Sequence, residues 1–301
     1  MTSTSSPRSR RRAGAKGPPP ELREAGLRPR KSLGQHFLSD RRILRRIVAA
    51  AEVGPSDAVI EVGAGVGSLT AELAEAGARV TAVEVDEGLC TYLRRRFAGQ
   101  ARVAVIYKDV LSLSPGALLA EAGVSPPYLV VANLPYYIAA PVLRHFLEAA
   151  APPQRLVIMV QKEVAESIVA GPGRMSLLGV SVQLYGEPRL LFTVSPSAFY
   201  PPPKVTSAVV RLDVAPQPRA RVDDVERFFR VVRAGFSAPR KQLRNALALG
   251  LRLDTVAAAS LLAIAGIDPR LRAQALSLEQ WAALARTLPK DFDRGEKPGE
   301  A

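Results

Sequence analysis

Residues 58–70, AVIEVGAGVGSLT, join an apolar run to a glycine-rich turn and then to a helix-forming segment. The run 58–62 has the length and composition of a buried parallel strand. Gly63, Gly65 and Gly67 allow a tight turn and let a ligand approach the backbone closely. Strand, turn and helix in this order predict one unit of an open α/β sheet, with a ligand site at the turn.

Further apolar runs at 79–85, 103–107 and 128–132 repeat the strand pattern, and helical segments separate them. Such alternation favours right-handed crossovers and a parallel sheet. The later runs 189–196 and 205–214 have no helix between them, which predicts an antiparallel pair at the sheet edge. Together these patterns predict a Rossmann-like α/β domain.

The proline-containing stretch 215–219 separates this pattern from a wholly helical region, and we take it as the domain boundary. The predicted divisions are a disordered basic tail over 1–30, an α/β domain over 31–215, a small helical domain over 220–290 and a flexible tail over 291–301.

Composition limits the class of protein. The 301 residues are 48% hydrophobic and 23% charged, which fits a soluble globular chain that can bury a core without disulfides. The single cysteine, Cys90, excludes an internal disulfide and suits a reducing cytosol. No apolar stretch approaches the ~20 residues needed to span a bilayer. We therefore expect a cytoplasmic protein with no membrane contact.

Positive charge predicts a polyanionic partner. The net charge is +13, and residues 227–252 contain seven Arg or Lys and no Asp or Glu. Binding of such a segment to phosphates is favoured because it releases condensed counterions. A solvated basic surface is the alternative that composition leaves open.

Within this segment, Ser237 is a plausible N-cap and predicts a helix start. Arg240 and Arg244 would then lie one turn apart, with Lys241 beside them. These three cations are the predicted RNA contacts.

The glycine-rich turn differs from a dinucleotide fingerprint, which requires Gly where this chain has Ser68. Glu61 and the Gly-x-Gly-x-Gly rhythm instead resemble the first motif of S-adenosylmethionine methyltransferases. Glu84 ends the second strand, where an acid can accept hydrogen bonds from ribose hydroxyls. Asp109 follows the third strand and can accept a hydrogen bond from the adenine amine of the cofactor. S-adenosylmethionine is the expected cofactor, with NAD as the alternative.

Asn133-Leu134-Pro135-Tyr136 follows the fourth strand, at the edge where open α/β sheets bind ligands. An adenine N6 amine is a poor nucleophile because its lone pair is delocalised into the ring. The Asn133 side-chain oxygen and the Leu134 carbonyl can each accept one N6 hydrogen and aim the lone pair at a methyl donor. Pro135 restricts Leu134 to extended conformations. Tyr136 offers a ring for stacking on a base taken out of its helix.

With these motifs in place, the chain resembles the bacterial 16S rRNA adenine N6,N6-dimethyltransferase family of the KsgA/RsmA type. The resemblance rests on seven segments in order: KSLGQHFL (31–38), EVGAGVGSLT (61–70), VEVD (83–86), NLPYYI (133–138), QKEVAE (161–166), FYPPPKVTSAVVRL (199–212) and RKQLRNAL (240–247).

The resemblance implies a class I methyltransferase domain with a seven-stranded, mostly parallel sheet and a small helical C-terminal domain. It implies dimethylation of two adjacent adenines in a hairpin loop near the 3′ end of 16S rRNA, within an immature 30S subunit. It also assigns Phe199 to stacking on the target base opposite Tyr136. The implied cofactor residues are His36, Leu38, Gly63, Gly65, Glu84, Asp109 and Asn133.

Other functions stay open at this stage. A 23S rRNA adenine methyltransferase of the macrolide-resistance type shares the cofactor and catalytic motifs, although QKEVAE and RKQLRNAL favour the small-subunit enzyme. A non-catalytic assembly factor would be expected to have lost NLPY or the glycines. A relative of a mitochondrial transcription factor would contact DNA or a polymerase. Two histidines and one cysteine predict no metal site, and a monomer is expected.

Overall fold

The glycine-rich turn lies between a central strand and the following helix in a computed structural model that describes residues 17–289. The predicted tail over 291–301, and the first sixteen residues of the predicted basic tail, lie outside the described residues.

The α-helices are α1 (Pro20–Ala25), α2 (Arg41–Ala51), α3 (Ser68–Glu75), α4 (Glu87–Arg96), α5 (Pro115–Glu121), α6 (Ala139–Leu147), α7 (Lys162–Val169), α8 (Leu177–Gln183), α9 (Val225–Phe236), α10 (Leu243–Leu251), α11 (Thr255–Ile264) and α12 (Leu278–Thr287). The strands are β1 (Phe37–Leu38), β2 (Ala58–Val62), β3 (Arg79–Glu84), β4 (Val103–Tyr107), β5 (Leu129–Asn133), β6 (Arg155–Gln161), β7 (Gly186–Val194), β8 (Phe199–Tyr200) and β9 (Ser207–Val214).

Seven strands form one sheet in the order β4-β3-β2-β5-β6-β9-β7. The pairs among β2 to β6 are parallel, and β9 runs antiparallel to both of its neighbours. This confirms the mostly parallel seven-stranded sheet and the antiparallel pair at its edge. The strand order switches between β2 and β5: the chain continues from β2 toward one edge of the sheet and from β5 toward the other. A crevice is therefore expected at the carboxyl ends of these two parallel strands.

Alternating side chains along the strands pack into two separate layers of the core. Ile60 and Val130 face one layer with Phe146 of α6, whereas Val59 and Val131 face the other layer with α2 and α3. Because helices cover both faces of the sheet at its centre, β2, β5 and β6 read as nearly continuous apolar runs, whereas the edge strand β7 alternates in burial.

Short-range interactions define one end each of α2 and α3. The Asp40 carboxylate accepts a hydrogen bond from the Arg42 amide and caps α2. Gly77 follows the end of α3 with φ +93°, and a Cβ there would lie 3.1 Å from the Pro55 ring. Both features limit where α2 and α3 can begin or end.

The helices α9 to α12 surround Trp281, which is fully buried. Their apolar cluster also includes Met175, Val180 and Leu184 from the neighbourhood of α8. The stretch 215–219 therefore divides the chain in sequence, while the packing of the helical region continues into the α/β domain.

Two predictions about local structure are wrong. Residues 20–25 form α1 inside the predicted disordered tail, because Leu22 is only 1% exposed and packs on the α/β domain. Ser237 ends α9 instead of starting a helix, and its hydroxyl donates to the Ala234 carbonyl.

Within residues 17–289, no single helix is long and apolar enough to cross a membrane. The bent pair α10 and α11, at 115°, meets that test together on length and composition alone.

Candidate active site

A cavity of about 310 Å³ opens at the carboxyl ends of β2 and β5, where the strand order of the sheet switches. Its walls come from five segments of the chain: residues 33–38, 61–69, 83–85, 108–111 and 133–138. Ten residues predicted for cofactor binding or catalysis line it: His36, Leu38, Gly63, Gly65, Glu84, Asp109, Asn133, Leu134, Pro135 and Tyr136.

The glycine-rich turn forms the floor of this cavity in a left-handed backbone conformation. Gly63, Gly65 and Gly67 have φ values of +71°, +60° and +77°, which a side chain would strain. A Cβ on Gly65 would also lie 3.2 Å from the Phe37 ring. The turn is therefore packed closely from behind and leaves its backbone accessible to a ligand.

Glu84 is 5% exposed, and both of its carboxylate oxygens accept backbone hydrogen bonds. One oxygen accepts the Gly65 amide at 2.8 Å, and the other accepts the amides of Val85 and Asp86 at 2.9 and 3.0 Å. Burial raises the pKa of Glu84, and the three amide donors oppose that shift. The carboxylate is thus held by the backbone at the cavity wall, where a ribose is expected.

Glu61, also on the wall, is 2% exposed and accepts the Thr70 hydroxyl at 2.5 Å. Burial raises the pKa of the Glu61 carboxyl to about 8, a shift opposed by the Thr70 hydrogen bond and reinforced by the nearby Glu84 charge. With a pKa of about 8, the Glu61 carboxyl is mostly protonated near neutral pH, so its part in the wall is the hydrogen bond with Thr70 rather than a negative charge.

Asn133 lies at the end of β5, beside residues 33–38. Its side-chain Nδ2 donates to the His36 carbonyl at 3.3 Å. The amide nitrogen is thereby engaged, and the side-chain oxygen is the group left to accept a hydrogen bond from a ligand. The Leu134 amide donates to the carbonyl of Met159 in the neighbouring strand β6. This bond fixes the start of the loop that follows β5.

Tyr136 has one ring face near the His36 ring, with the centroids 6.0 Å apart and the planes inclined by 25°. Its hydroxyl is hydrogen-bonded to the Ser207 hydroxyl at 2.8 Å. Burial raises the pKa of Tyr136, so the phenol stays protonated near neutral pH. Tyr136 can hold a base by contact and cannot serve as a general base.

Comparison with known proteins places this geometry in a family. The family model described as ribosomal RNA adenine dimethylase matches residues 26–290. The chain belongs to the ribosomal RNA adenine dimethylase family. This confirms the predicted family, the predicted class of enzyme, an rRNA adenine dimethyltransferase, and its S-adenosylmethionine cofactor.

Individual relatives of this dimethylase agree with the family model. The ribosomal RNA small subunit methyltransferase A of Dehalococcoides mccartyi strain CBDB1 is 49% identical over 260 residues, covering 86% of this chain and 88% of the relative. The protein of the same name from Moorella thermoacetica is 45% identical over 275 residues, covering 89% and 95%.

Solved structures of related enzymes share the fold of this dimethylase. The 23S rRNA methyltransferase ErmE is 28% identical with a TM-score of 0.65, covering 84% of this chain and 99% of ErmE. A dimethyladenosine transferase from Plasmodium falciparum is 24% identical with a TM-score of 0.66, covering 83% and 96%. The second likeness shows the fold alone.

Phe199, predicted to stack on the target base, is placed differently in this dimethylase. Its side chain is 4% exposed and packs in the core layer that contains Leu38, Leu44 and Ile47. Phe199 pairs with Leu38 in the short β1–β8 ladder and does not line the cavity. Phe199 is therefore buried in the core beside Leu38 rather than on the cavity wall, and its stacking on the target base stays a prediction.

The three predicted RNA contacts also occupy different local structure. Arg240 and Lys241 lie in the connection between α9 and α10, and Arg244 lies in the first turn of α10. All three are exposed. Their predicted alignment on one helix face is wrong because α10 begins only at Leu243.

Among the residues of the cavity wall that sequence reasoning missed, two are aromatic. Phe37 backs the glycine-rich turn, and Tyr137 lines the cavity with 60% of its surface exposed. Both lie inside motifs that drew attention to their neighbours His36 and Tyr136. An exposed aromatic residue directly after a catalytic motif is itself a signal of contact with a base.

Proposed function

We propose that this chain dimethylates the N6 amines of two adjacent adenosines in the 3′-terminal hairpin loop of 16S rRNA, within the immature 30S subunit. In this proposal it acts in the cytoplasm as a monomer. The observation that carries the proposal is the hydrogen bond from Asn133 to the His36 carbonyl. It leaves the Asn133 oxygen facing the cavity that Gly65 and Glu84 also line.

The residues of this chain fit the cofactor by shape and by charge. Glu84 stands where ribose hydroxyls can donate to it, and Asp109, at the mouth of the cavity, can accept from an adenine amine. S-adenosylmethionine, when bound, supplies a methyl group that is already electrophilic.

The protein's contribution to chemistry is therefore orientation. The Asn133 oxygen and the Leu134 carbonyl accept the two N6 hydrogens and turn the nitrogen lone pair toward the methyl donor. The ring of Tyr136 holds the extruded base. The methylated nitrogen loses its proton to water, which requires no protein base.

Two features favour the small-subunit substrate over the large-subunit one. The relatives named small subunit methyltransferase A are 41–49% identical, whereas ErmE is 28% identical. The segments QKEVAE and RKQLRNAL are both present. A purely non-catalytic assembly role is disfavoured because the glycine-rich turn and NLPY both remain on the cavity wall.

The test replaces Asn133 with Ala and measures methylation of immature small subunits at saturating S-adenosylmethionine. Turnover should fall at least about a hundredfold, because the amine is no longer oriented. Gln100→Ala, which removes an exposed side-chain amide that does not line the cavity, should retain normal turnover. Primer extension maps the sites, because N6-dimethyladenine stops reverse transcriptase.

Naked 23S rRNA serves as the competing substrate in the same assay. Methylation of 23S rRNA in preference to the immature subunit would transfer the proposal to the large-subunit activity. Normal turnover of Asn133→Ala would contradict the role given to the loop.

A further inference from the structure

The structure assigns a role to α1, a helix that lies before the first residue matched by the family model, residue 26. We propose that Leu22 of α1 is a positioning residue. It holds residues 31–38, which we call the strap, packed against the glycine-rich turn, and we call this arrangement closed. Through the strap, Leu22 sets the affinity and the release rate of the cofactor. This inference rests on the proposed binding of S-adenosylmethionine in the cavity.

Leu22 joins the elements that enclose the cofactor. It is 1% exposed and shares one apolar cluster with Phe37, Val66, Leu89 and Tyr92. Phe37 belongs to the strap and Val66 to the glycine-rich turn, while the other two belong to α4. Removal of the Leu22 side chain therefore opens a gap behind both walls of the cavity at once.

Polar contacts attach α1 to the same helix, α4. The Tyr92 hydroxyl donates to the Glu24 carboxylate at 3.3 Å. Arg96 lies 4.0 Å from the Glu21 carboxylate and also donates to the Val66 carbonyl of the turn. Arg96 thus links α1 directly to the backbone that the cofactor approaches.

The start of the strap is coupled to Glu84 through Asp86. The Asp86 carboxylate accepts the Gln35 side-chain amide at 3.3 Å and lies 3.3 Å from the Arg30 guanidinium. The Asp86 backbone amide in turn donates to Glu84 at 3.0 Å. A strap that moves away from α4 therefore disturbs the carboxylate expected to hold the ribose.

The short length of α1 explains why its packing against α4 and the closed position of the strap are coupled. An isolated helix of six residues is not stable in water, so α1 depends on the burial of Leu22. If only the closed strap binds the cofactor, the apparent dissociation constant equals the intrinsic value divided by the closed fraction. Weaker packing of α1 against the strap therefore lowers the affinity for the cofactor and speeds cofactor release. It leaves the chemical step of the bound complex unchanged.

The test compares Leu22→Ala with Leu262→Ala in the full chain. Leu262 is also fully buried, but it lies in the core of the helical region away from the cavity. Calorimetry should show that Leu22→Ala raises the dissociation constant for S-adenosylmethionine by about tenfold. The KM for the cofactor should rise in parallel, and kcat at saturation should stay within about twofold of the wild type.

Hydrogen exchange of the cofactor-free proteins supplies a readout that general destabilisation does not move. In Leu22→Ala the strap amides should exchange faster, while amides of α10 keep their wild-type rates. Leu22→Met, which fills much of the same volume, should restore both affinity and strap protection.

Three outcomes separate the possibilities. Equal losses of cofactor affinity in Leu22→Ala and Leu262→Ala would overturn the positioning role of Leu22, because the loss would then come from general destabilisation of the fold. Wild-type affinity in Leu22→Ala would overturn it as well. A wild-type protein that fails to bind S-adenosylmethionine would instead contradict the proposed function.

Discussion

The cavity wall that carries Glu61 and Glu84, which we call the cofactor wall, differs from the basic segment around α10 in how its ionisable groups are placed. Glu61 and Glu84 are buried, and each carboxylate accepts short hydrogen bonds from named donors. Arg240, Lys241 and Arg244 are exposed to solvent. Buried, directional bonds are screened little by salt, whereas exposed cations act through a field that ions weaken. Ionic strength should therefore separate cofactor binding from RNA binding.

The largest effect is expected at the buried wall. Glu84→Ala removes the acceptor for two ribose hydroxyls, each bond being worth about 1.5–3 kcal/mol to a charged acceptor. Affinity for S-adenosylmethionine measured by calorimetry should therefore fall at least about a hundredfold, with RNA binding little changed. Glu87→Ala, an exposed acid three residues away, is the matched control and should bind normally. Unaltered affinity in Glu84→Ala would remove Glu84 from the site.

A smaller effect is expected at the exposed cations. Replacement of Arg240, Lys241 and Arg244 by Ala should weaken binding to immature small subunits several-fold. The slope of log affinity against log salt should drop by roughly 0.7–0.9 for each lost phosphate contact. Arg79→Ala, which replaces an exposed arginine at the amino end of β3, should leave the slope unchanged. Superimposable titrations of the triple variant and the wild type would place the RNA contacts elsewhere.

The smallest effect concerns stability and pH. The folded pKa of Glu61, about 8, lies above its ordinary value of 4.5, so the folded state holds a proton that the unfolded chain has lost. Stability contributed by this group is present at low pH and falls as pH rises through that window. Urea unfolding should show the wild type losing at least about 1 kcal/mol relative to Glu61→Gln between about pH 5 and about pH 8. Parallel pH profiles would mean that Glu61 ionises normally.

Much of the cofactor wall could be predicted because its determinants are local. A glycine needed for positive φ, or an acid that ends a strand, is visible within a few residues, as Gly65 and Glu84 illustrate. The sheet edge then brings these separate turns together, since parallel strands share the same carboxyl end.

The wrong predictions and the unexpected burial of Phe199 arise where the same residues fit two different local structures, or where contacts with residues distant in sequence determine the structure. Ser237 and Pro239 fit a helix start, but serine also ends helices through its hydroxyl and proline often follows a helix end. Phe199 is buried by pairing with Leu38, which is distant in sequence. Leu22 is a single apolar residue beside three prolines, and only its contacts with α4 and the strap make α1 a helix.

The single cysteine offers an internal reporter of motion. Cys90 is buried at 1% exposure in α4, next to Leu89 of the cluster that holds α1. Burial raises the pKa of its thiol, so the closed protein presents neither the thiolate nor an accessible sulfur to an alkylating reagent. The labelling rate of the unmodified chain therefore measures how often α4 and its neighbours open, and one added mass identifies each molecule that has opened.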